Sequence, residues 1–421
     1  MHPIHDFQYK SGTLHCEGVS VEAIARKTGT PVYIYSHKTL VDHVQKIREA
    51  FKEADPIICF AMKANSNLAV LKALVREGAG FDIVSGGELK KARLVGVDMK
   101  KVAFASVGKT DEEISEAIKA GILLFNVESQ PELENIDRIA RKLKKTVPVA
   151  LRINPDIETP THDKIKTGSL KKKFGIDLRT ARGIFLDQKI YKNLRINGVH
   201  VHIGSQITKS EPFVVAIEKA LAFIDELEKD GIRIEYLDIG GGLGIIYKDE
   251  TPQTARQYAD KVLPLIRGRK FRLIMEPGRF IVGNAGIFVT KKLYLKDNGV
   301  KKFMIVDAGM NDLVRPSMYG SYHEIIPVVK SRAGSVVCDV VGPICESGDI
   351  FAHDRALPAL KNGQFLAMLS AGAYGYVMAS NYNVRGRAAE VLVKGKKWAV
   401  VQERETFKDL IQGARIPEFL K

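Results

Sequence analysis

Eight short apolar runs, separated by stretches of helical periodicity, constrain this chain more than any other feature. They are IICFAMKA (57–64), GFDIVS (80–85), VAFAS (102–106), LLFNVES (123–129), VPVALRIN (147–154), INGVHVHIGS (196–205), YLDIGGG (236–242) and FRLIMEPGR (271–279). They are β-branched or aromatic-rich and lack strict polar–apolar alternation, as strands buried on both faces do. Between them, SNLAVLKALVREGA (66–79) sets Leu68, Leu71, Leu74 and Val75 at helical spacing, and PFVVAIEKALAFIDELEKDG closes on Gly231 as a C-cap. Eight such units predict an α/β domain, a (β/α)8 TIM-type barrel over 36–280, rather than an open sheet. Beyond 280 the pattern changes to GIFVTKKLYLKD, KKFMIVDAG, SVVCDVVGP, QFLAMLSAG and AAEVLVKGKKWAVV. These predict an all-β, mostly antiparallel C-terminal domain of sandwich or barrel-like form. The N-terminal strand TPVYIYS is expected to join it, so that 1–35 and 281–421 make up the second domain.

Composition narrows the function classes. The 421 residues are 45% hydrophobic and 27% charged, which excludes a mainly disordered chain. No apolar run approaches the ~18 residues of a membrane helix, and MHPIHDFQYKSG lacks the apolar core of a secretory leader. Cys16, Cys59, Cys338 and Cys345 stand far apart with no CxxC. Neither a disulfide framework nor a metal site is expected, and a cytoplasmic location fits. Lys+Arg exceed Asp+Glu by 64 − 49 = 15. The basic residues come in short runs interspersed with acids and without interleaved aromatics. They read as a solvated surface suited to anionic substrates, not as a nucleic-acid face.

In such a barrel, chemistry sits at the C-terminal ends of the strands. Lys63 closes the first run. Burial there lowers a lysine's pKa and lets it condense with a carbonyl, although a snorkelling lysine reads the same way. Gly240, Gly241 and Gly242 form a turn after the seventh run where backbone can approach a phosphate, or simply turn tightly. The spacing is neither a Walker A loop nor a dinucleotide fingerprint. Glu276-Pro277-Gly278-Arg279 ends the eighth run, with a carboxylate that could pair with a protonated ring nitrogen and an arginine suited to a phosphate or carboxylate. A structural ion pair is the alternative. His202 could stack on an aromatic ring or be a satisfied core histidine, and alternation sets it on the same strand face as His200. An imine-forming amine, an anion cradle, a ring-nitrogen acid and a stacking ring together suit pyridoxal 5′-phosphate (PLP).

Over nearly its whole length the chain resembles the diaminopimelate decarboxylases, barrel-type PLP enzymes related to alanine racemase. The resemblance is carried by Phe60 through Asn65, Phe81 through Glu88, His200 through Gln206, Asp238 through Gly242, Glu276 through Arg279, Arg315 through Tyr319, Gly342 through Asp349 and Gly372 through Tyr376. It implies that Lys63 carries PLP, that Asp82 belongs to the cofactor site and that His202 stacks on the pyridine ring. It implies that Ser205, the Gly240–Gly242 turn, the Pro277–Gly278 backbone and Tyr374 hold the phosphate, and that Glu276 pairs with the ring nitrogen. Arg279, Arg315, Tyr319, Glu346 and Tyr374 would grip the substrate, and Cys345 would protonate the carbanion. The activity implied is decarboxylation of meso-2,6-diaminopimelate to L-lysine and CO2, the last step of lysine biosynthesis. The assembly implied is a homodimer whose active site is shared between subunits. The lysine-rich stretch from Thr161 to Gly175 is read either as a lid over that site or as a plain surface loop.

Three rivals follow. Arginine, ornithine or carboxynorspermidine decarboxylases share the cofactor chemistry, but Arg315 and Glu346 favour a substrate with both a distal carboxylate and an ammonium. A non-catalytic homologue would be expected to have lost Lys63 or Cys345. A nucleic-acid binder would show no PLP chromophore.

Overall fold

Strands that are apolar on both faces are stable only where both faces are covered, and the barrel strands of this chain are buried along almost every residue. The computed structural model describes residues 5–157 and 173–420. The expected 161–175 loop therefore lies almost wholly outside the described residues. Four strands come first: β1 (Phe7–Lys10), β2 (Thr13–Cys16), β3 (Val19–Ser20) and β4 (Val32–Ser36). Eight follow: β5 (Ile57–Ala61), β6 (Gly80–Ile83), β7 (Val102–Phe104), β8 (Leu124–Val127), β9 (Val147–Arg152), β10 (Leu194–His200), β11 (Tyr236–Asp238) and β12 (Arg272–Met275). The last eight are β13 (Gly286–Asp297), β14 (Lys302–Val306), β15 (Ile325–Pro327), β16 (Ser335–Val341), β17 (Ile350–Pro358), β18 (Phe365–Met368), β19 (Ala389–Lys394) and β20 (Lys397–Gln402).

Strands β5 to β12 close in chain order into a parallel barrel, β12 pairing back onto β5. Ile57, Cys59, Ala103, Leu124, Ala150 and Ile274 fill part of its interior. The helices after β5, β6 and β8 start on Asn67, Ser85 and Ser129, whose side chains accept the first free helical N–H groups. Thr110 and Glu113 form a capping box after β7. Much of the polar character at this rim is thus helix capping, and only the remainder is available for chemistry.

The chain divides into two compact units, Leu40–Val282 and Met1–Thr39 with Gly283–Lys421. In the second unit β4 lies inside a nine-stranded sheet, antiparallel to β13 and parallel to β19. The β-domain with its N-terminal strand is therefore present. Two of its pairings, β4–β19 and β14–β16, are parallel, and β1–β3 form a separate small antiparallel sheet that the sequence reading had not separated out. Phe7, Leu14, Ile24, Ile34, Ile287, Val328 and Val391 share this unit's core. One difference bears on the site. Strand β10 stops at His200, so His202 lies beyond the strand rather than on its face. His200 is buried and His202 half-buried.

Candidate active site

A single 3-10 turn, Met62–Ala64, follows β5 and carries Lys63. The turn is pinned on both sides: Ala61 N–H donates to the Pro277 carbonyl, and Asn65 N–H to that of Met62. Lys63 Nζ lies 2.5 Å from Asp82 Oδ2, on β6 next door. The lysine side chain is 34% exposed and the aspartate not at all. The amine therefore opens outward from a buried acid. Burial, reinforced by Glu276, raises the Asp82 pKa, while Lys63 opposes the rise.

Glu276 follows β12, the other neighbour of β5, and is 3% exposed. Asn126 Nδ2 donates to its Oε1 (3.0 Å), and His200 Nε2 lies 3.5 Å from its Oε2. Burial alone would favour the neutral acid. Nearby His200 and then Lys63 outweigh it and hold the carboxyl below the usual carboxylate range. Asp238, at the end of β11, goes the other way, pushed well up by burial and by Glu276. Two acids a strand apart thus differ in charge, because low-dielectric surroundings cannot support both ionised.

His202 Nδ1 accepts from Gly241 N–H (3.1 Å), which leaves the Nε2 proton on a neutral ring. Burial depresses the His202 pKa well below the ordinary histidine value, with Arg152 and Lys63 adding to the effect. The backbone at Gly240–Gly242 is bare for steric reasons. A Cβ on Gly241 would lie 2.1 Å from the Glu276 carbonyl oxygen, and Gly240 has φ +64°. Arg279, itself buried, donates to Tyr247 Oη (2.5 Å) and to Ser205 Oγ (3.1 Å). Glycine turn, hydroxyl and guanidinium thus share one rim with an amine, an ionised carboxylate and a flat neutral imidazole. This donor set fits a phosphorylated pyridine aldehyde.

Arg315, Tyr319, Cys345, Glu346 and Tyr374 belong to the other unit. The segment 342–349 is exposed at Cys345 and Glu346 yet well anchored. Asp349 accepts from Met310 N–H (2.6 Å) and Ile344 N–H (2.7 Å), Ser317 Oγ donates to the Gly348 carbonyl (2.7 Å), and Asn383 Oδ1 receives Cys345 N–H (2.9 Å). Ser317 lies on the short helix Arg315–Tyr319, so that helix and the Cys345 loop are held together. The guanidinium of Arg315 is buried, donates to Ser321 Oγ (3.2 Å) and lies 5.9 Å from the Tyr319 ring centre. Tyr374 has φ +56°, a left-handed conformation uncommon for a bulky side chain and often seen where a residue is held for use.

Sequence reasoning gave no role to His200, Asn126 or Tyr247. Asn126 stands out as a polar residue within the apolar run of β8, but nothing local says which groups it meets across the barrel. Tyr247 lies past the glycine turn with no pattern around it.

Known proteins bear on this geometry. Residues 37–283 match a family described as pyridoxal-dependent decarboxylase, pyridoxal binding domain. The chain is 47% identical over 406 residues, 96% of each chain, to a diaminopimelate decarboxylase of Aquifex aeolicus. A diaminopimelate decarboxylase of M. jannaschii, solved in co-complex with L-lysine, superposes with a TM-score of 0.95 at 39% identity over 100% of both chains. One from Helicobacter pylori, complexed with L-lysine, gives a TM-score of 0.90 at 40% identity over 93% of this chain and 98% of that one.

Proposed function

The chain belongs to the diaminopimelate decarboxylases, within the pyridoxal-dependent decarboxylases, and from that premise we propose how its residues share the work. It is a carboxy-lyase that converts meso-2,6-diaminopimelate to L-lysine and CO2 in lysine biosynthesis, with PLP as cofactor. The observation that carries the proposal is the placement of Lys63 and the buried Glu276 just beyond the ends of adjacent strands β5 and β12, with Asp82 against the Lys63 amine.

When bound, PLP supplies the electron sink for the pair left behind by the departing carboxylate. Lys63 is its anchor, and Asp82, 2.5 Å away, is the partner that can take or return the amine's proton. Glu276 would hold the ring-nitrogen proton, which keeps the sink electron-poor. His202, kept neutral by burial, would be the residue to stack on the ring. Ser205, Gly240, Gly241, Gly242, Pro277, Gly278 and Arg279 would hold the phosphate together with Tyr374. Arg279, Arg315, Tyr319, Glu346 and Tyr374 bind the substrate's distal carboxylate and ammonium, which fixes the scissile bond relative to the ring. Cys345 would be the group to deliver a proton to the α-carbon after CO2 leaves, and an exposed thiol on a well-anchored loop suits that work.

The working unit in this proposal is a homodimer in which the Cys345 loop of one subunit serves the Lys63 site of its partner. We assign the protein to the cytoplasm, because an exposed free thiol at Cys345 persists best in a reducing compartment.

The test is L-lysine formed from meso-diaminopimelate by the purified protein with PLP, alongside Lys63→Ala. Lysine from the wild type and none from the variant is expected. A variant as active as the wild type would remove Lys63 from the chemistry, and turnover of ornithine or arginine instead would reassign the substrate.

A further inference from the structure

Asp82, Asp238 and Glu276 are buried together at one end of the barrel, with exposures of 0%, 0% and 3%. Three carboxylates in so dry a space cannot all be charged. Which one keeps its charge depends on the donors each can reach. Asp82 has Lys63. Asp238 receives Gly240 N–H on Oδ1 (2.9 Å). Asn126 touches the other two. It stands on β8, four places round the ring from β12 and so directly across the barrel. Its fully buried amide donates to Glu276 Oε1 (3.0 Å) and to Asp238 Oδ2 (3.1 Å). A primary amide has two N–H groups and no titration of its own, so it can serve both acids at any pH.

The other oxygen of Glu276 faces His200 Nε2 at 3.5 Å. Glu276 is therefore bracketed, Asn126 on Oε1 and His200 on Oε2. The titratable groups that face it are Cys59 on β5, Lys63 just beyond β5, Asp82 on β6, His200 on β10, His202 beyond β10 and Asp238 on β11. Asn126, which also contacts Glu276, does not titrate.

We infer that Asn126, with His200 opposite, is a positioning residue that fixes the Glu276 carboxylate in the orientation it presents to the cofactor ring. This rests on the reading of Glu276 as the ring-nitrogen partner. Asn126 acts through these acids: its Nδ2 donates to both, and its backbone carbonyl is held by Lys109 Nζ (2.8 Å).

The experiment uses the full-length enzyme loaded with PLP as wild type, Asn126→Leu and Glu276→Gln. Leucine keeps the branched shape of asparagine and removes both donors. Four quantities are read: the pH titration of the bound cofactor's visible absorption, cofactor retained on dialysis, kcat and KM, and the melting temperature. Without the amide, Glu276 is less firmly charged and holds the ring-nitrogen proton less tightly. The spectral midpoint of Asn126→Leu is expected to move to lower pH by about one unit, and kcat to fall roughly ten-fold with KM little changed. A purely structural asparagine would shift the melting temperature and leave the spectral midpoint in place. A wild-type midpoint with kcat within about two-fold, while Glu276→Gln is crippled, would overturn the inference and leave the Glu276 reading standing. A Glu276→Gln enzyme with wild-type spectrum and kcat would overturn both. If leucine prevents folding, Asn126→Ala, which removes both donors without adding bulk, is held to the same midpoint shift.

Discussion

Asp312 shows how much a single buried acid can weigh. It lies three residues before Arg315 and is 1% exposed. One carboxylate oxygen takes Gly309 N–H (3.0 Å), and the other has no hydrogen-bond partner among the described residues. Burial pushes its pKa up to about 6, against the Gly309 hydrogen bond and the charges of Arg385 and Arg404. An unfolded aspartate gives up its proton near ~3.9. Between those two values the folded chain binds more protons than the unfolded chain, so this group's contribution to stability falls as pH rises from ~4 to ~6 and is level above that. Asp312→Asn removes that slope. Its stability relative to wild type should increase between pH 5 and pH 8 by on the order of 1–2 kcal/mol, read from urea midpoints at the two pH values. An unchanged difference would mean that Asp312 ionises in the fold as it does in water.

At the scale of elements, the parallel strands were legible because burial on both faces writes a continuous apolar run into the sequence, as in IICFA and GFDI. Strand direction in the second unit was not. The parallel pairing of β4 with β19 joins residues over 350 positions apart, and nothing in VYIYS or AEVLVK records it. The buried pair of Lys109 with Glu132 (2.5 Å) escaped notice for the same reason, since each residue taken alone reads as surface. The glycine turn after β11 was legible as a turn, but only the fold shows what crowds it. Glu276 N–H donates to the Gly240 carbonyl (2.8 Å), so the turn is stitched to the end of β12. A methyl on Gly241 would meet a backbone carbonyl there, which cannot swing aside as a side chain can. Gly241→Ala should cost about 1–3 kcal/mol of stability and weaken PLP binding roughly ten-fold or more. Thermal melts and equilibrium dialysis against PLP would measure both effects. Unchanged dialysis with a lowered melting point would make the turn a packing element only.

At the scale of the whole molecule, the candidate residues fall into two sets that follow the division of the chain. Lys63, Asp82, His202 and Glu276 belong to Leu40–Val282, while Arg315, Cys345, Glu346 and Tyr374 belong to the other unit. The proposed dimer gives that division a testable consequence. If one subunit's Lys63 works with its partner's Cys345, Lys63→Ala and Cys345→Ala homodimers each have two broken sites. In a mixed dimer one site carries both lesions and the other carries none. An equal mixture, dissociated and allowed to reassociate at random, contains mixed dimers as half of its population, so about one quarter of wild-type activity should return. If each subunit instead completed its own site, every site in the mixture would carry one lesion and no activity would return. The two arrangements differ in whether activity appears at all, so the assay does not depend on an accurate rate, provided that native mass spectrometry confirms the subunits have exchanged.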